Sequence, residues 1–281
     1  MIELASNRYG KAAIRLVRVA RGPDGDRLRD LTVAIALEGD FTAAHTDGDN
    51  TNVIATDTMK NTAYAFAKDH LDGPLEDYGR ALAEHFVASP QVDVATVNIK
   101  GHHWHAIDVA GTPAPDAFVR GGEGTRVATI SATAAGTTVE AGVEDLVVMK
   151  TTRSAFSGFP RDQYTTLPET DDRLMATKVT AIWRYGSPDL DFDGVFENVR
   201  TTLLEVFAEH DSPSVQTSIW IMAKAILDRH DEVDEVRMVL PNLHHWLVDL
   251  RPFGLENDRE IYTPTTEPHG LIEATVRRGE G

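Results

Sequence analysis

The spacing of apolar residues near the start of the chain predicts an antiparallel pair of β-strands. Leu31, Val33, Ile35 and Leu37 alternate with smaller or polar residues, as in a strand with one buried face. Residues 12–20 form an earlier run with strand propensity, and the stretch between the two runs carries the Gly, Pro and Asp residues of a turn. The chain is therefore expected to begin with a β-hairpin.

Apolar residues spaced three and four positions apart predict a pair of helices after this hairpin. We expect these helices over residues 58–71 and 74–87. Residues 52–55 favour strand, and either Asp57 or Thr58 has a side chain suited to the N-cap of the first helix. The backbone N–H groups left unpaired at such a helix N-terminus can hold an anion or a small polar oxidant.

The remainder of the chain combines further strands with a second pair of helices. Strands are predicted at residues 92–100, 104–109, 127–134, 137–148, 175–184, 236–240 and 246–250, and helices at about 193–207 and 213–227. We expect the strands at 92–100 and 104–109 to pair as a hairpin, and those at 236–240 and 246–250 to do the same. A similar order of elements near 11–109 and 174–276 suggests an internal pseudo-repeat. Strands in hairpins and helices in pairs favour an α+β fold.

Composition indicates a soluble globular protein and argues against several kinds of partner and site. Asp and Glu number 44 against 27 Lys and Arg, and the net charge of -17 argues against nucleic acid or an anionic membrane as a partner. No apolar run approaches the roughly 20 residues that a membrane span needs, and no signal-peptide pattern is evident, so we expect a cytoplasmic protein. The absence of cysteine excludes disulfides, thiolate nucleophiles and Cys-ligated metal centres.

Short motifs spread over most of the chain carry a resemblance to a known family. In chain order they are Tyr9-Gly10-Lys11, residues 53–58, Lys60-Asn61-Thr62, residues 159–167, Glu169-Thr170, Asp172-Arg173, Ser214-Val215-Gln216, Leu240-Pro241-Asn242 and His244. Each motif alone is weakly specific, but the ordered set resembles urate oxidase (uricase). The resemblance implies an oxidoreductase of purine metabolism with the tunnelling fold.

The resemblance also implies an architecture and a reaction. Two tunnelling-fold units, at residues 1–140 and 141–281, would combine antiparallel sheets with paired helices, and four subunits would enclose a barrel. This homotetramer would hold active sites at its subunit interfaces. It would oxidise urate with O2 and water to 5-hydroxyisourate and hydrogen peroxide, without a cofactor or a metal.

By their matching positions in this family, nine residues are expected to form the site. Lys11, Thr56 and His244 would form a proton relay. The residues expected to contact the substrate or the oxidant are Asp57, Phe156, Arg173, Val215, Gln216 and Asn242. Within this set, Arg173 and Gln216 would grip the purine, Phe156 would stack on it, and the backbone N–H groups of Asp57 and Val215 would add contacts. Asn242, with Thr56, would hold the oxidant above the ring. Leu243 departs from the family pattern, in which a lysine is usual.

Each of these residues also has a simpler interpretation when it is taken singly. Lys11 would be a solvated strand lysine, Arg173 a partner of Asp171 or Asp172 in a surface ion pair, and Asn242 a turn residue. Because all nine residues match one family in order, we favour the functional interpretation.

Two other functions remain open from the residues alone. His102, His103 and His105 form a histidine-rich segment, with His45 and Asp47 in an earlier loop. Clustered histidines favour zinc, as in pterin-processing enzymes of the same fold. The second alternative is a non-catalytic assembly protein of this fold. Retention of urate oxidation after chelation would argue against the first alternative, and urate oxidation itself would exclude the second.

Overall fold

The computed structural model describes residues 2–23 and 25–279 and has mixed α and β structure. The strands are β1 (Tyr9–Ala20), β2 (Arg27–Gly39), β3 (Val92–His102), β4 (Trp104–Val109), β5 (Thr112–Arg120), β6 (Thr125–Thr133), β7 (Gly136–Lys150), β8 (Met175–Tyr185), β9 (Val233–Pro241), β10 (His244–Leu247), β11 (Tyr262–Thr265) and β12 (Leu271–Arg277). The helices are α1 (Thr42–Thr46), α2 (Thr56–His70), α3 (Leu75–Val87), α4 (Phe192–Glu209) and α5 (Val215–Arg229), and a 3₁₀ turn covers Arg251–Phe253.

Contacts divide the chain into two compact units. Unit 1 comprises Met1–Gly142 and Arg184–Phe196, and unit 2 comprises Val143–Trp183 and Glu197–Gly281. The domain boundary expected at residue 140 from the family resemblance stays a prediction.

Unit 1 builds its core between a sheet and two helices. Its strands follow the order β1-β2-β3-β6, and the pairs β1/β2, β2/β3 and β3/β6 are antiparallel. The alternating residues Leu31, Val33, Ile35 and Leu37 of β2 are all buried, as their spacing predicts. Helix α3 packs against β3 and β6. Its Gly79 lies so close to the sheet that an added Cβ would collide with the side chain of Ile130.

The strand partners in the middle of unit 1 differ from those expected. Residues 92–100 and 104–109 were expected to form a hairpin, but β3 pairs with β2 and β6. Strand β4 instead pairs with β5 in a separate two-stranded sheet. An apolar alternation shows which face of a strand is buried, whereas the partner depends on backbone groups that are the same in every residue.

Unit 2 repeats this arrangement with its own elements. Helix α5 packs against β9 and β12, which pair in antiparallel register with Leu240 opposite Ile272. The expected pairing of residues 236–240 with 246–250 is wrong, because β10 pairs with β11. Helix α5 begins at Val215, two residues later than predicted, because Ser214 acts as its N-cap and accepts a hydrogen bond from Thr217 N at 3.2 Å.

The order of elements repeats within the chain, but the second run begins at β7 (Gly136–Lys150) rather than near residue 174 as expected. Two strands, two long helices and two further sheet strands occur first as β1, β2, α2, α3, β3 and β6, and then as β7, β8, α4, α5, β9 and β12. In each run a separate strand pair, β4/β5 or β10/β11, is inserted between the last two sheet strands. In the described ranges 2–23 and 25–279, every helix is too short or too polar to cross a membrane.

Candidate active site

A β-bulge directs Lys11 toward the helical side of unit 1. Lys11 lies opposite Ile35, but Ile14 lies opposite Val33, so β1 has one extra residue between them. Ala13 adopts a φ of 55° within this bulge. The extra residue shifts the alternation by one position, which places Lys11 on the same face as the buried Ile14. Helix α2 packs against β1.

Tyr9 fixes the segment that leads into α2. Its hydroxyl accepts a hydrogen bond from Ile54 N at 2.8 Å and donates one to Ile54 O at 3.1 Å. Its ring packs edge-on against Phe41, with 4.8 Å between the centroids. A tyrosine that holds both backbone groups of one residue restricts the direction in which the chain enters the helix.

The N-terminus of α2 begins earlier than predicted. Its N-cap is Ala55 rather than Asp57 or Thr58, and Ala55 has no side-chain capping bond. Thr56 is therefore the first helical residue, and its hydroxyl lies at an end of the helix where backbone N–H groups are left over. The Asp57 carboxylate accepts hydrogen bonds from Lys60 and from Asn61, the latter at 3.0 Å.

Lys11 and the start of α2 interact electrostatically. The hydrogen bond and charge of Lys60 are the main reasons that the pKa of Asp57 lies below its usual value, and the positive charge of Lys11 lowers it further. Unit 1 therefore brings Lys11 within electrostatic reach of Asp57, whose neighbour in the first turn of α2 is Thr56.

In unit 2, a short backbone ladder holds Phe156 and Arg173. Phe156 and Thr170 exchange two backbone hydrogen bonds of 2.8 and 3.0 Å, and Arg173 N donates to Ser154 O at 2.7 Å. On the other side of the same segment, Ala155 N donates to Ser212 O at 2.7 Å. Three chain segments that are distant in sequence thus lie side by side in the loop region before α5.

The guanidinium of Arg173 lies over the ring of Phe156. Its Cζ atom is 5.4 Å from the ring centroid, within the range of a cation–π interaction. Phe159 stacks on the same phenylalanine with 4.9 Å between centroids and 14° between the ring planes. Arg173 and Phe156 together form an aromatic and cationic surface suited to a flat anionic molecule.

Arg173 is half-buried and forms no ion pair with an acidic side chain among the described residues. Its Nε atom is buried with no hydrogen-bond partner among the described residues, and burial lowers the pKa of the Arg173 guanidinium. The simpler interpretation was an ion pair with a neighbouring aspartate. Instead, Asp172 accepts hydrogen bonds from Thr152 at 2.9 Å and from Arg153 N at 2.8 Å, and it pairs with Arg259.

The start of α5 presents the next two predicted residues. Val215 is buried and Gln216 is exposed in the first turn after the Ser214 cap. The Gln216 amide can donate and accept hydrogen bonds along the edge of a heterocycle.

Asn242 and His244 lie where β9 ends and β10 begins. Asn242 N donates to Gly270 O at 2.8 Å, Leu243 N donates to Ala176 O at 2.9 Å, and Thr177 Oγ1 donates to Pro241 O at 2.8 Å. These bonds hold the Asn242 backbone between β8 and the approach to β12.

His244 is biased toward its neutral form. Burial is the main reason that its pKa is lowered, and the positive charge of Arg173 lowers it further. The imidazole stacks on Trp246 with 5.6 Å between centroids and 26° between the planes. His244 therefore lies within electrostatic reach of the proposed substrate-binding arginine, and unit 2 brings six of the nine predicted residues to one region.

Comparisons with known proteins identify the family. The family model described as Uricase matches residues 7–131 and 139–273. The chain belongs to the uricase family. The uricase of Arthrobacter globiformis is 44% identical over 99% of this chain and 90% of its own length, and that of Dictyostelium discoideum is 38% identical over 99% and 98%. The resemblance inferred from the motifs is thus confirmed.

Solved uricase structures agree with the fold. The crystal structure of uricase from Arthrobacter globiformis matches with a TM-score of 0.94 at 42% identity and covers 100% of this chain and 96% of its own. A uricase from Bacillus fastidious matches with a TM-score of 0.83 at 25% identity, over 98% and 94% of the two chains. The mixed α and β architecture with antiparallel sheets is therefore that of the uricases.

The histidine-rich segment makes contacts that do not resemble a shared metal site. His102 Nε2 lies 2.8 Å from Thr32 Oγ1, and its Nδ1 lies 2.9 Å from Arg120 Nη2. The rings of His103 and His105 meet edge-on with 4.3 Å between centroids. Within residues 2–23 and 25–279, no group of three or more His, Asp or Glu side chains is arranged to hold a metal ion.

Some residues that build the candidate site were not assigned a role from the sequence. Tyr9 lies in a recognised motif, but only the structure shows its bonds to Ile54. Ser154 and Ser212 form the ladder through backbone atoms, which leaves no signal in residue type. Gly270 contacts Asn242 through its carbonyl group. A glycine followed by a strand is too common a pattern to reveal such a role.

Proposed function

We propose that this chain oxidises urate with O2 and water to 5-hydroxyisourate and hydrogen peroxide, without a cofactor. Membership of the uricase family supports urate as the substrate. In the balanced reaction, the purine loses two electrons to O2, O2 takes up two protons to become hydrogen peroxide, and water supplies the hydroxyl group at C5. The protein has to bind the urate anion, move protons and hold the oxidant.

One observation carries this proposal: a half-buried arginine with an unpaired Nε faces an aromatic ring. Keeping a cation in such an environment costs free energy unless an anion completes it. Arg173 can offer two parallel N–H groups to a urate anion, while Phe156 covers one face of the ring. With an overall charge of -17, the protein needs such a local cation to attract an anionic substrate.

The remaining predicted contacts complete the substrate-binding role. Gln216 would bind the edge of the purine, and the backbone N–H of Val215 would add a further donor from the first turn of α5. The backbone N–H of Asp57 would contribute in the same way from α2, whose N-terminus has no side-chain cap.

Proton movement is assigned to Lys11, Thr56 and His244. Lys11 would accept a proton in its neutral form, and the Thr56 hydroxyl would pass protons without acting as a base itself. His244 suits proton acceptance near neutral pH, because its lowered pKa keeps the imidazole uncharged there, and the imidazolium that forms can then return the proton. Asn242 would hold O2, and later peroxide, with its amide group over the urate ring together with Thr56.

The direct test measures urate loss and hydrogen peroxide formation together in metal-free, chelated buffer. We expect one peroxide for each urate consumed, with no loss of rate on prolonged chelation. Activity that disappears on chelation and returns with zinc would favour the pterin-type alternative. Folded protein without any urate consumption would favour a non-catalytic assembly protein.

The proposal includes a homotetramer in which Thr56 and Asp57 of one subunit meet Phe156, Arg173, Val215 and Gln216 of a neighbour. Thr56→Ala and Arg173→Ala chains should each be inactive. In an equal mixture of the two variants, half of the subunit pairs contain one chain of each kind. In such a pair one site has both Thr56 and Arg173 and the other has neither, so about a quarter of wild-type activity should return. Thr62→Ala, at a half-buried position farther along the same helix, is the matched control and should remain active alone.

Verified mixed tetramers that remain inactive would exclude sites shared in this way. The same experiment tests the assembly, because monomeric chains could not complement each other.

A further inference from the structure

A chain of three hydrogen bonds lies beneath the start of α5. His210 Nδ1 is 2.6 Å from Val206 O, and His210 Nε2 is 2.8 Å from Ser218 Oγ. Ser218 Oγ is in turn 2.8 Å from Ser212 Oγ. Both serines are almost fully buried, with exposures of 0% for Ser218 and 1% for Ser212. No role in the proposed chemistry has been assigned to these side chains.

Donor and acceptor chemistry, together with a neutral imidazole, gives one consistent direction for the three bonds of this chain. A carbonyl oxygen can only accept, so His210 Nδ1 must carry the hydrogen that is donated to Val206 O. Burial lowers the pKa of His210 and so favours the neutral imidazole, whose other nitrogen is an acceptor. The Ser218 hydroxyl therefore donates to His210 Nε2, and the Ser212 hydroxyl donates to Ser218 Oγ. Ser214 O is an alternative acceptor, but it lies farther away, at 3.2 Å from each hydroxyl.

Ser212 connects this chain to both substrate-binding elements of unit 2. Its backbone pairs with the segment around Ser154, through Ala155 N to Ser212 O at 2.7 Å and Ser212 N to Arg153 O at 2.9 Å. On the opposite edge of the same segment, Ser154 O accepts a hydrogen bond from Arg173 N. Two residues after Ser212, the N-cap Ser214 begins the helix that presents Val215 and Gln216.

We infer that His210 and Ser218 are positioning residues that hold Ser212, and thereby set the spacing between the Phe156 and Arg173 surface and the first turn of α5. The inference rests on the proposed urate oxidation, since those two elements are its substrate-binding contacts. Because His210 and Ser218 lie beneath the site and do not line it, their role is to keep the purine-binding groups in register.

Unit 2 contains a matched pair with the same chemistry and no link to the site. Thr202 Oγ1 lies 2.8 Å from His230 Nε2, and Thr202 is 5% exposed. This bond joins α4 to the C-terminal end of α5, whereas the His210 chain reaches its N-terminal end. Loss of either bond removes one buried hydroxyl-to-histidine contact, but only loss of the Ser218 bond should disturb substrate binding.

The test compares Ser218→Ala with Thr202→Val in the full-length protein. Both variants should lose thermal stability, and Ser218→Ala should lose more, because it also removes the hydrogen bond between Ser218 and Ser212. If the binding elements separate by about half an ångström, the KM for urate in Ser218→Ala should rise about tenfold. The rate at saturating urate should change less, and Thr202→Val should keep the wild-type KM. Equal effects of the two variants on KM, or an unchanged KM in Ser218→Ala, would overturn the inference.

Two further measurements keep the inference separate from the proposed activity. The first is equilibrium binding of urate in the absence of O2, which should weaken in Ser218→Ala even if no oxidation can be measured. If wild-type protein binds urate but does not oxidise it, the proposed function fails while this comparison still decides the positioning role. Should Ser218→Ala fail to fold, the nearly isosteric Ser218→Cys replaces it, and its weaker donor should give a smaller rise in the dissociation constant.

The second measurement reads the histidine tautomer. In ¹⁵N-histidine-labelled protein, the signals of His210, assigned by their loss in His210→Gln, should show the hydrogen on Nδ1. A dominant Nε2–H tautomer would reverse the direction of the chain and refute the arrangement on which the inference depends.

Discussion

A single methyl group at position 270 should disturb the proposed oxidant site without disturbing the fold. A Cβ added at Gly270 would lie 3.1 Å from Asn242 Nδ2 and 3.6 Å from Ile272 Cδ1. Gly270 is not among the glycines with positive φ, so alanine can adopt its backbone conformation. The Gly270 carbonyl would still accept the hydrogen bond from Asn242 N. The change therefore acts mainly on the side-chain amide of Asn242.

The size of the effect follows from this geometry. Ordinary contact begins at 3.4 Å, so the amide has to move by at least 0.3 Å. If a displacement of about 1 Å costs about a hundredfold in rate, this smaller displacement should cost about fourfold. Replacing glycine by alanine at a compatible position also restricts the unfolded chain, which stabilises a protein by about 0.4–1 kcal/mol. Thermal stability should therefore be unchanged or slightly higher.

The assay varies O2 at saturating urate. We expect Gly270→Ala to lower kcat/KM for O2 about fourfold while the KM for urate stays the same, because Asn242 is assigned to the oxidant. Asn242→Ala should lower the same quantity further. Gly73→Ala is the matched control, since its added Cβ meets no atom within 4 Å. Its kinetics should be those of the wild type.

Two results would refute this reasoning. If a crystal structure of Gly270→Ala shows the amide displaced and kcat/KM for O2 is unaltered, Asn242 does not position the oxidant. If only the KM for urate rises, Asn242 binds the purine instead.

Three further predictions concern the corner of unit 1, its buried ion pair and the histidines. Tyr9→Phe should reduce kcat about tenfold by releasing Ile54, since a shift of half an ångström suffices. Tyr78→Phe loses a 2.8 Å hydrogen bond to the Ala63 carbonyl, in α2 but two turns from its N-terminus, and should keep the wild-type kcat; equal rates of the two variants would exclude the Tyr9 role. Glu76 is fully buried and accepts two hydrogen bonds from Arg126. Glu76→Ala should therefore lower the free energy of unfolding, measured by urea denaturation, by about 3 kcal/mol, and a wild-type denaturation curve would contradict this. His244 has a lowered pKa when folded, so the unfolded chain takes up its proton first and stability should fall as pH decreases below about 6.5. The decrease in melting temperature should be smaller in His244→Gln, and an equal decrease would remove His244 as a contributor.

The helices were predicted correctly in number and order, apart from the short α1, because their signal is local. Residues 58–71 and 74–87 were expected, and α2 and α3 occupy Thr56–His70 and Leu75–Val87. An apolar stripe repeats within one helix, so no knowledge of distant residues is needed. The start of α2 was misplaced because Tyr9, 45 positions before Ile54, holds the chain just ahead of it.

Candidate site residues could be proposed from the sequence, but the contacts that support them could not. Arg173 belongs to a motif of a family whose membership is now shown. The absence of a counter-charge on Arg173 depends on burial, and burial depends on packing. The bulge that directs Lys11 leaves no clear sequence signal, because Ala13 is a small residue that any strand could contain.

By itself, the sequence determined the family, the α+β class and the residue types available for chemistry, since these depend on composition and on local or ordered patterns. The tertiary structure alone decided which strands pair, that the hydroxyls of Ser212 and Ser218 meet beneath α5, and that Asn242 lies against Gly270. The physical reason is that backbone hydrogen bonds and close contacts join residues far apart in the chain, and the backbone groups that form them are the same at nearly every position.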